Sequence, residues 1–169
     1  MGAFQYKQEI QVVGISPKRM FKAMVIEFHT LLPKIKPDVV SRIELISGDG
    51  GPGTTRKTHL HNHVVAMILV LPSTSFLKHE TSAVNAEMCT AKYSLIEGAW
   101  LGEKLERVDY DVKFEESSNG GCVIKITSDY RTKGDAVFDD KDSKADNDRA
   151  REYYTATEEY LRLNPDVCA

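Results

Sequence analysis

A chain of 169 residues with a formal net charge of −3 has the size of one domain and carries no general attraction for nucleic acid. Hydrophobic residues make up 41% of the chain and charged residues 28%, which is the balance of an ordinary globular protein. Because no dense run of Lys and Arg is present, we expect no specific nucleic-acid partner. The longest apolar run, Val64 to Leu71, is too short to span a membrane.

The cysteines and the N-terminal residues bear on the compartment. Cys89, Cys122 and Cys168 form an odd set without CxxC spacing, which predicts free thiols in a reducing environment. The first ten residues lack the apolar core of a signal peptide. We therefore expect a cytoplasmic protein, and its length predicts folding without a metal, a disulfide or another cofactor.

The first third of the chain predicts a strand followed by two short helices. Apolar residues recur at even positions from Phe4 to Val12, the pattern of a strand with one buried face. Ser16-Pro17 is typical of a helix start, with serine as N-cap and proline at the first helical position. Apolar residues at helical spacing from Met20 to Val25 and from Phe28 to Leu32 predict two helices, because the prolines that follow exclude one long helix.

The rest of the chain alternates and then changes period. Further strands are predicted at Val39 to Ile46, Thr54 to Leu60, Tyr93 to Glu97, Val108 to Phe114 and Cys122 to Tyr130. After an acidic stretch from Asp135 to Asp148, apolar residues from Ala150 to Leu161 predict a long amphipathic helix that ends at Asn164-Pro165. This order predicts a single α+β domain over residues 1–169.

A glycine-rich loop separates the second and third predicted strands and consists of Gly48, Asp49, Gly50, Gly51, Pro52 and Gly53. It differs from a nucleotide P-loop, which needs Lys and Ser/Thr after its last glycine and a helix behind it. Here Thr54 and Thr55 follow and a strand comes next. We interpret the loop as a tight connection between strands, with weak anion binding by its amides as the alternative.

The segment Glu44-Leu45-Ile46-Ser47-Gly48-Asp49-Gly50-Gly51-Pro52-Gly53-Thr54 resembles the glycine-rich loop of the class-10 pathogenesis-related proteins, the birch-pollen major allergen family. Further segments agree in order: Phe21-Lys22-Ala23, Tyr93-Ser94-Leu95-Ile96-Glu97-Gly98, Tyr130-Arg131-Thr132-Lys133-Gly134-Asp135 and Glu158-Glu159-Tyr160-Leu161. The resemblance covers essentially the whole chain. It implies the helix-grip fold, a seven-stranded curved antiparallel sheet wrapped around the long C-terminal helix, with two short helices and a large internal cavity.

The resemblance implies that Tyr93 faces the long helix. Counting alternate residues from such inward positions predicts which side chains of the strands face the cavity. The predicted lining is Met24, Arg56, Thr58, Leu60, Phe76, Ala91, Tyr93, Leu95, Val108, Tyr110, Val112, Ile124, Ile126, Ser128, Tyr130, Asp146, Arg149, Ala150, Tyr153 and Tyr154. A filled core would use the same apolar residues. The tyrosine hydroxyls and charged groups favour a wet, ligand-accepting pocket, because a dry core would leave them unsatisfied.

Three histidines form an H-x-H-x-H run, and alternation places His59, His61 and His63 on one face of a strand, turned away from the cavity. Neighbouring imidazoles could share a zinc or copper ion, but no carboxylate or cysteine flanks them in sequence. We favour a solvated strand face and predict no metal site.

Residues 61–75 depart from the family pattern. This segment is longer than the resemblance implies and contains the run Val64 to Leu71, which is too apolar to lie bare on a hairpin tip. We expect either a remodelled cavity entrance or a contact between two molecules, and hence a monomer or a weak dimer.

The resemblance implies an intracellular binding or carrier protein for small hydrophobic or amphipathic ligands, such as plant hormones, flavonoids or other secondary metabolites, linked to plant defence. One alternative is an enzyme of the same fold, with Asp146 or Glu80 as acid or base. Another is a weak ribonuclease, because Arg56, Glu106, Glu158 and Tyr160 match positions linked to RNA cleavage in some relatives. A plainer interpretation is that Glu97, Glu106 and Glu158 accept hydrogen bonds from glycine-loop amides.

Overall fold

The computed structural model describes residues 2–61 and 76–169. The strands are β1 (Ala3–Val12), β2 (Val40–Ser47), β3 (Thr55–Leu60), β4 (Phe76–Asn85), β5 (Thr90–Glu97), β6 (Leu105–Glu116) and β7 (Cys122–Thr132). The helices are α1 (Pro17–Phe21), α2 (Phe28–Ile35) and α3 (Asp140–Leu163), and a π-helical turn (Lys22–Ile26) joins the first two.

Within the described ranges, the seven strands form one antiparallel sheet in the order β1-β7-β6-β5-β4-β3-β2. The edge strands β1 and β2 are consecutive in sequence, so α1, the π-helical turn and α2 carry the chain from one edge to the other. Most other neighbours follow one another along the chain, and β1 pairs with β7 over ten residues from Ala3↔Arg131 to Val12↔Cys122. The predicted α+β architecture with two short helices and a long C-terminal helix is confirmed.

The helix starts follow the local chemistry of the sequence. Ser16 is the N-cap of α1, and its hydroxyl accepts a hydrogen bond from Arg19 N at 3.2 Å, with Pro17 at the first helical position. Pro33 lies inside α2, two residues before its end, although proline usually breaks a helix. Proline lacks the N–H that would donate to His29 O, so α2 forgoes one backbone hydrogen bond at this position.

Helix α3 begins ten residues before the first apolar residue used to predict it. Asp139 and Asp142 form a capping box, in which each side chain accepts from the other residue's amide. The first turns bury polar side chains, among them Asp146 and Asn147, instead of apolar ones. The apolar period that marks the rest of α3 is therefore absent from its N-terminal part.

The core consists of two hydrophobic clusters between α3 and the sheet. One contains Phe21, Phe114 and Leu161, with the rings of Phe21 and Phe114 edge to face at 5.6 Å. The other is built around Trp100 and Phe138, whose rings also meet edge to face, at 5.3 Å. Both clusters contribute to the lining of the cavity described below, which lies between them.

Three further sequence predictions concern the cysteines, the membrane and the segment at 61–75. Cys89, Cys122 and Cys168 are free, as predicted. No helix within the described ranges is long and apolar enough to cross a membrane. The predicted entrance or dimer contact at 61–75 lies, apart from His61, outside the described residues.

Two leucines of α3, one buried and one exposed, allow a test of which face of the helix packs against the core. Leu161 has no exposed area, whereas Leu163 is 74% exposed on the same helix. We expect Leu161→Ala to lower the free energy of unfolding by about 2–5 kcal/mol, because it opens a cavity in the first cluster. Leu163→Ala should change it by less than about 0.5 kcal/mol. Urea denaturation of both variants measures the difference, and equal effects would contradict this packing.

Candidate functional site

A cavity of about 100 Å³ lies between α3 and the inner face of the sheet. Strands β3 to β7 form one wall, α3 forms the other, and the π-helical turn and α2 contribute Met24, Val25 and Phe28. Its surface is mostly apolar, with a minority of tyrosine, arginine and carboxylate groups. This composition is typical of a small-molecule site.

Fourteen of the residues predicted to face the cavity lie along it. They are Met24, Arg56, Thr58, Ala91, Tyr93, Tyr110, Val112, Ile126, Ser128, Asp146, Arg149, Ala150, Tyr153 and Tyr154. Strand parity brings them together because the register is regular in β6 and β7, where alternate residues all point to α3. That these residues contact a ligand stays a prediction.

Six predicted residues do not line the cavity. Leu60, Leu95, Val108 and Tyr130 face inward but pack in the cluster around Trp100, and Ile124 packs in the other cluster. The cavity is shorter than the sheet, so correct parity does not place a side chain on it. Phe76 was predicted inward and this is wrong: its ring lies under Lys57 Nζ at 4.3 Å, and it pairs with His59 on the outer face.

The cavity also has six lining residues that the sequence did not indicate: Val25, Phe28, Leu77, His79, Thr81 and Asn147. Three of them come from β4, whose inward side chains are Leu77, His79 and Thr81. The alternation of β4 is hidden because polar residues occupy both of its faces. His79 pairs with Arg56 of β3, which faces inward, and this pairing shows that His79 also faces inward. The pairing is known only once the register of the two strands is known.

Polar groups at the N-terminal half of α3 form what we call the Asp146 cluster, which comprises Gln8, Tyr110, Ser128, Tyr130, Asp146, Asn147 and Arg149. Asp146 accepts hydrogen bonds from Tyr110 at 2.9 Å, Tyr130 at 2.6 Å and Arg149 at 2.6 Å. Asn147 accepts from Gln8 and Ser128 and donates to Tyr130 and to Ser143 O. Each of these two side chains has its hydrogen-bonding capacity largely filled.

Five other polar side chains on the lining, Arg56, His79, Tyr93, Tyr153 and Tyr154, form a set that we call the open polar groups. No residue in the described ranges forms a side-chain hydrogen bond or ion pair with any of them. Arg56 Cζ lies 5.0 Å from the ring centroid of Phe28, a cation–π contact, and His79 packs edge to face on Tyr93 at 5.7 Å. The Tyr153 hydroxyl is buried without a partner.

The electrostatics of the open polar groups follow from burial and from Arg56. Burial, aided by the charges of Arg56 and Arg149, lowers the pKa of His79 to about 3, so the imidazole is neutral at physiological pH. Burial raises the pKa of Tyr93 to about 12, against the opposing effect of Arg56. The small accessible surface of Arg56 and His79 opens on the cavity.

The glycine-rich loop is a connection between β2 and β3 whose amides are occupied. Gly50 N donates to Thr54 Oγ1, and Gly53 N donates to Thr81 O on β4, both at 2.8 Å. Gly48 has φ +86°, and a Cβ there would lie 2.5 Å from Thr54 Oγ1, so only glycine fits. These contacts favour the structural interpretation of the loop over anion binding.

Comparison with known proteins identifies the family of the chain. The model of the pathogenesis-related protein Bet v 1 family matches residues 1–164. The chain belongs to this family. It is 37% identical over 167 residues to the major strawberry allergen Fra a 1.07 of Fragaria ananassa and 36% identical to the major allergen Pru av 1 of Prunus avium. Each alignment covers 99% of both chains.

Solved structures agree with this assignment. The crystal structure of Ara h 8.0201 superposes with a TM-score of 0.80 at 28% identity, and the alignment covers 96% of this chain and 99% of that chain. A norcoclaurine synthase of Thalictrum flavum, crystallised with dopamine and hydroxybenzaldehyde, gives a TM-score of 0.69 at 19% identity, over 96% of this chain and 88% of its own. At 19% identity, the likeness to norcoclaurine synthase shows a shared fold and no shared activity.

The residues linked to RNA cleavage in some family members do not converge here. Arg56 lines the cavity, whereas Glu106 is exposed at the start of β6. Glu158 accepts from Arg162 at 2.7 Å and from Val13 N at 3.4 Å, and Tyr160 packs at the edge of the first core cluster. Val13 follows the last residue of β1, whereas the start of β6 lies across β7 from the first residue of β1, so about 30 Å of extended strand separates the two glutamates.

The interpretation that the glutamates bind glycine-loop amides is also wrong for two of them. Glu97 forms an ion pair with Lys78 at 2.9 Å, and Glu158 bonds the residues just named. The loop amides instead donate to Asp49, Thr54 and Thr81. The loop is thus closed by its own neighbours and by the backbone of β4, and not by Glu97 or Glu158.

His59, the first histidine of the run, lies on the outer face of β3, as parity predicted. His59 Nε2 lies 2.6 Å from Glu44 Oε1 on β2, so a carboxylate does flank it, across the sheet and not along the chain. His61 Nε2 contacts Pro37 O, and His63 lies outside the described residues. Over residues 2–61 and 76–169, no group of three His, Cys, Asp or Glu side chains is arranged to hold a metal ion.

The lowered pKa of His79 predicts how the free energy of unfolding depends on pH. Its pKa of about 3 in the folded protein lies below the ordinary 6.5, so the unfolded chain takes up a proton that the folded one does not. The stability due to neutral His79 is present above pH 6.5 and is lost as the pH falls toward 3, with a limiting slope of ~1.4 kcal/mol per pH unit.

We expect His79→Gln to lose less free energy of unfolding than the parent protein between pH 6.5 and pH 4, as measured by urea denaturation at each pH. Part of the slope will remain, because burial also lowers the pKa of His29. Identical slopes in the two proteins would show that the folded protein protonates His79 in this range.

Proposed function

We propose that the chain is a binding protein for small hydrophobic or amphipathic molecules, held in the cavity between α3 and the sheet. The observation that carries this proposal is the division of the cavity's polar groups. The Asp146 cluster is satisfied within the protein, whereas the open polar groups, of which Tyr154 is buried and the other four are half-buried, have no side-chain partner in the described ranges. Unpaired buried polar groups cost roughly 1–3 kcal/mol each, which a bound guest or water recovers.

The size of the cavity limits the guest. About 100 Å³ is small beside the ~300–1,000 Å³ of sites for drug-sized ligands. A one- or two-ring molecule fits best, and a larger guest must displace lining side chains. The stacked rings of Tyr93 and Tyr110, with centroids 4.9 Å apart, and Arg56 over Phe28 are the movable parts of this lining.

Membership of the Bet v 1 family supports a role as a carrier or reservoir. Members of this family bind small hydrophobic ligands generally. Plant hormones, flavonoids and other secondary metabolites are apolar ring systems with a few polar substituents, which match the composition of this cavity. We propose that the protein holds such a molecule in the cytoplasm, in a setting connected with plant defence.

An enzyme of the same fold is the second candidate, favoured by the likeness to norcoclaurine synthase, which was crystallised with dopamine and hydroxybenzaldehyde. Acid–base chemistry needs a group that exchanges a proton near neutral pH. Asp146 is committed to its hydrogen bonds, His79 has a pKa of about 3, and Glu80 is exposed. The cavity is therefore better suited to holding a molecule than to converting one.

A neutral fluorescent probe, 1-aminoanthracene, tests the proposed function. We expect saturable fluorescence enhancement with the parent protein and at least roughly tenfold weaker binding to Ala150→Trp, whose indole would fill the cavity. Ala156→Trp is the matched control, because Ala156 lies on the same helix in a shallow depression of the outer surface. It should bind the probe as the parent does.

Far-UV circular dichroism checks that both tryptophan variants remain folded. Absence of saturable binding to the parent protein would defeat the proposal. Equal loss in the two variants, or none in Ala150→Trp, would place the probe outside the cavity.

A further inference from the structure

The guanidinium of Arg56 is a half-buried cation on the cavity lining. No carboxylate in the described ranges pairs with it. Its charge is instead stabilised by a cation–π contact, in which Arg56 Cζ lies 5.0 Å from the centroid of the Phe28 ring. The Asp146 carboxylate accepts from three other donors, one of them Arg149 at 2.6 Å. A guanidinium presents several N–H donors in one plane and no acceptor, so Arg56 has hydrogen bonds to give.

The charges on the lining do not balance. Among the lining residues that the structure describes, Arg56 and Arg149 contribute two positive charges, Asp146 contributes one negative charge, and His79 is neutral, so their net charge is +1. Burying an uncompensated charge is costly, and it is normally avoided by pairing with an opposite charge. The residues of this lining do not supply that opposite charge.

The groups around Arg56 are also hydrogen-bond donors. Tyr93 and Tyr154 lie near enough to interact electrostatically with the guanidinium, and their hydroxyls have no partner in the described ranges. Burial raises the pKa of both phenols, so both retain their protons at physiological pH. The arrangement offers one cation and two neutral donors, and it lacks a free carboxylate to repel an anion.

We propose that the preferred guest is an organic monoanion, an aromatic carboxylic acid in its ionised form, whose carboxylate pairs with Arg56. This rests on the proposed function, because it assigns the chemistry of a guest in the same cavity. A planar carboxylate matches the planar guanidinium and forms two parallel hydrogen bonds with it. The rings of the guest then lie against the apolar part of the lining, which includes Met24, Val112 and Ile126.

The charge and shape of the cavity favour this guest over inorganic anions. A monoanion brings the lining to neutrality, whereas a phosphate dianion would leave an excess negative charge in an apolar space. A small inorganic ion would also leave the apolar wall uncovered. An apolar body with one carboxylate uses both parts of the cavity.

The test compares two ligands of nearly equal shape, 2-naphthoate and the neutral 2-naphthamide, by isothermal titration calorimetry at pH 7.5. We expect the parent protein to bind the naphthoate about 10–100-fold more tightly than the amide, the range for a hydrogen-bonded charge pair. Arg56→Met should lose this preference and keep its affinity for the amide. Arg56→Lys should retain part of it.

Lys57→Met is the matched control, because Lys57 is the next residue of β3 and its side chain lies on the opposite face, over Phe76. It should keep the full preference. Equal affinity of the parent protein for the two ligands would overturn the proposal without requiring any variant to fold, and so would an unchanged preference in Arg56→Met.

The two proposals fail in different ways. If 2-naphthamide and 1-aminoanthracene bind while the naphthoate is not preferred, the cavity binds apolar guests and the role of Arg56 is wrong. If none of the three ligands binds, the proposed function itself fails, and the pairing of a carboxylate with Arg56 fails with it.

Discussion

The carboxylate of Asp146 is the interaction on which the arrangement of this protein depends. It fixes the N-terminal half of α3 to the sheet by accepting from Tyr110 on β6 and Tyr130 on β7, and it neutralises Arg149. Asp146 is also the one carboxylate among the described residues of the cavity lining, and these contacts occupy it. On the opposite side of the cavity, Arg56 on β3 pairs with His79 on β4, and no carboxylate of the described lining residues lies beside them. The docking of α3 on the sheet and the lack of a described carboxylate beside Arg56 therefore both follow from the contacts of Asp146.

This division also explains why the cavity persists. Apolar side chains pack into two clusters on either side of it, and each cluster is closed by aromatic pairs such as Phe21 with Phe114 and Trp100 with Phe138. Between them lie groups that cannot pack against one another without leaving charges and hydroxyls unpaired. A hydrophobic core that enclosed Arg56 tightly would carry the cost of a buried cation, whereas a cavity lets a guest or water meet it.

The sequence predicted the architecture because strand periodicity, the Ser16 cap and the glycine-rich loop are local signals. Parity also identified inward residues such as Tyr93, Tyr110 and Ser128. It missed His79 and misplaced Phe76, because the alternation of β4 is visible only from its register with β3. The split between satisfied and open polar groups could not be predicted either, since Asp146, Arg56 and Arg149 look equivalent in a list of inward residues. Only distances show that Asp146 serves Arg149 and leaves Arg56 alone.

A crystal structure with bound 6-bromo-2-naphthoate tests the central claim most directly, because anomalous scattering from bromine fixes the orientation of the guest. The account predicts the bromine among the apolar residues near Met24 and Ile126, and both carboxylate oxygens within hydrogen-bonding distance of the Arg56 guanidinium. A guest seated with its carboxylate toward Arg149, with the bond from Arg149 to Asp146 broken, would contradict it. So would a bromine site outside the space between α3 and the sheet.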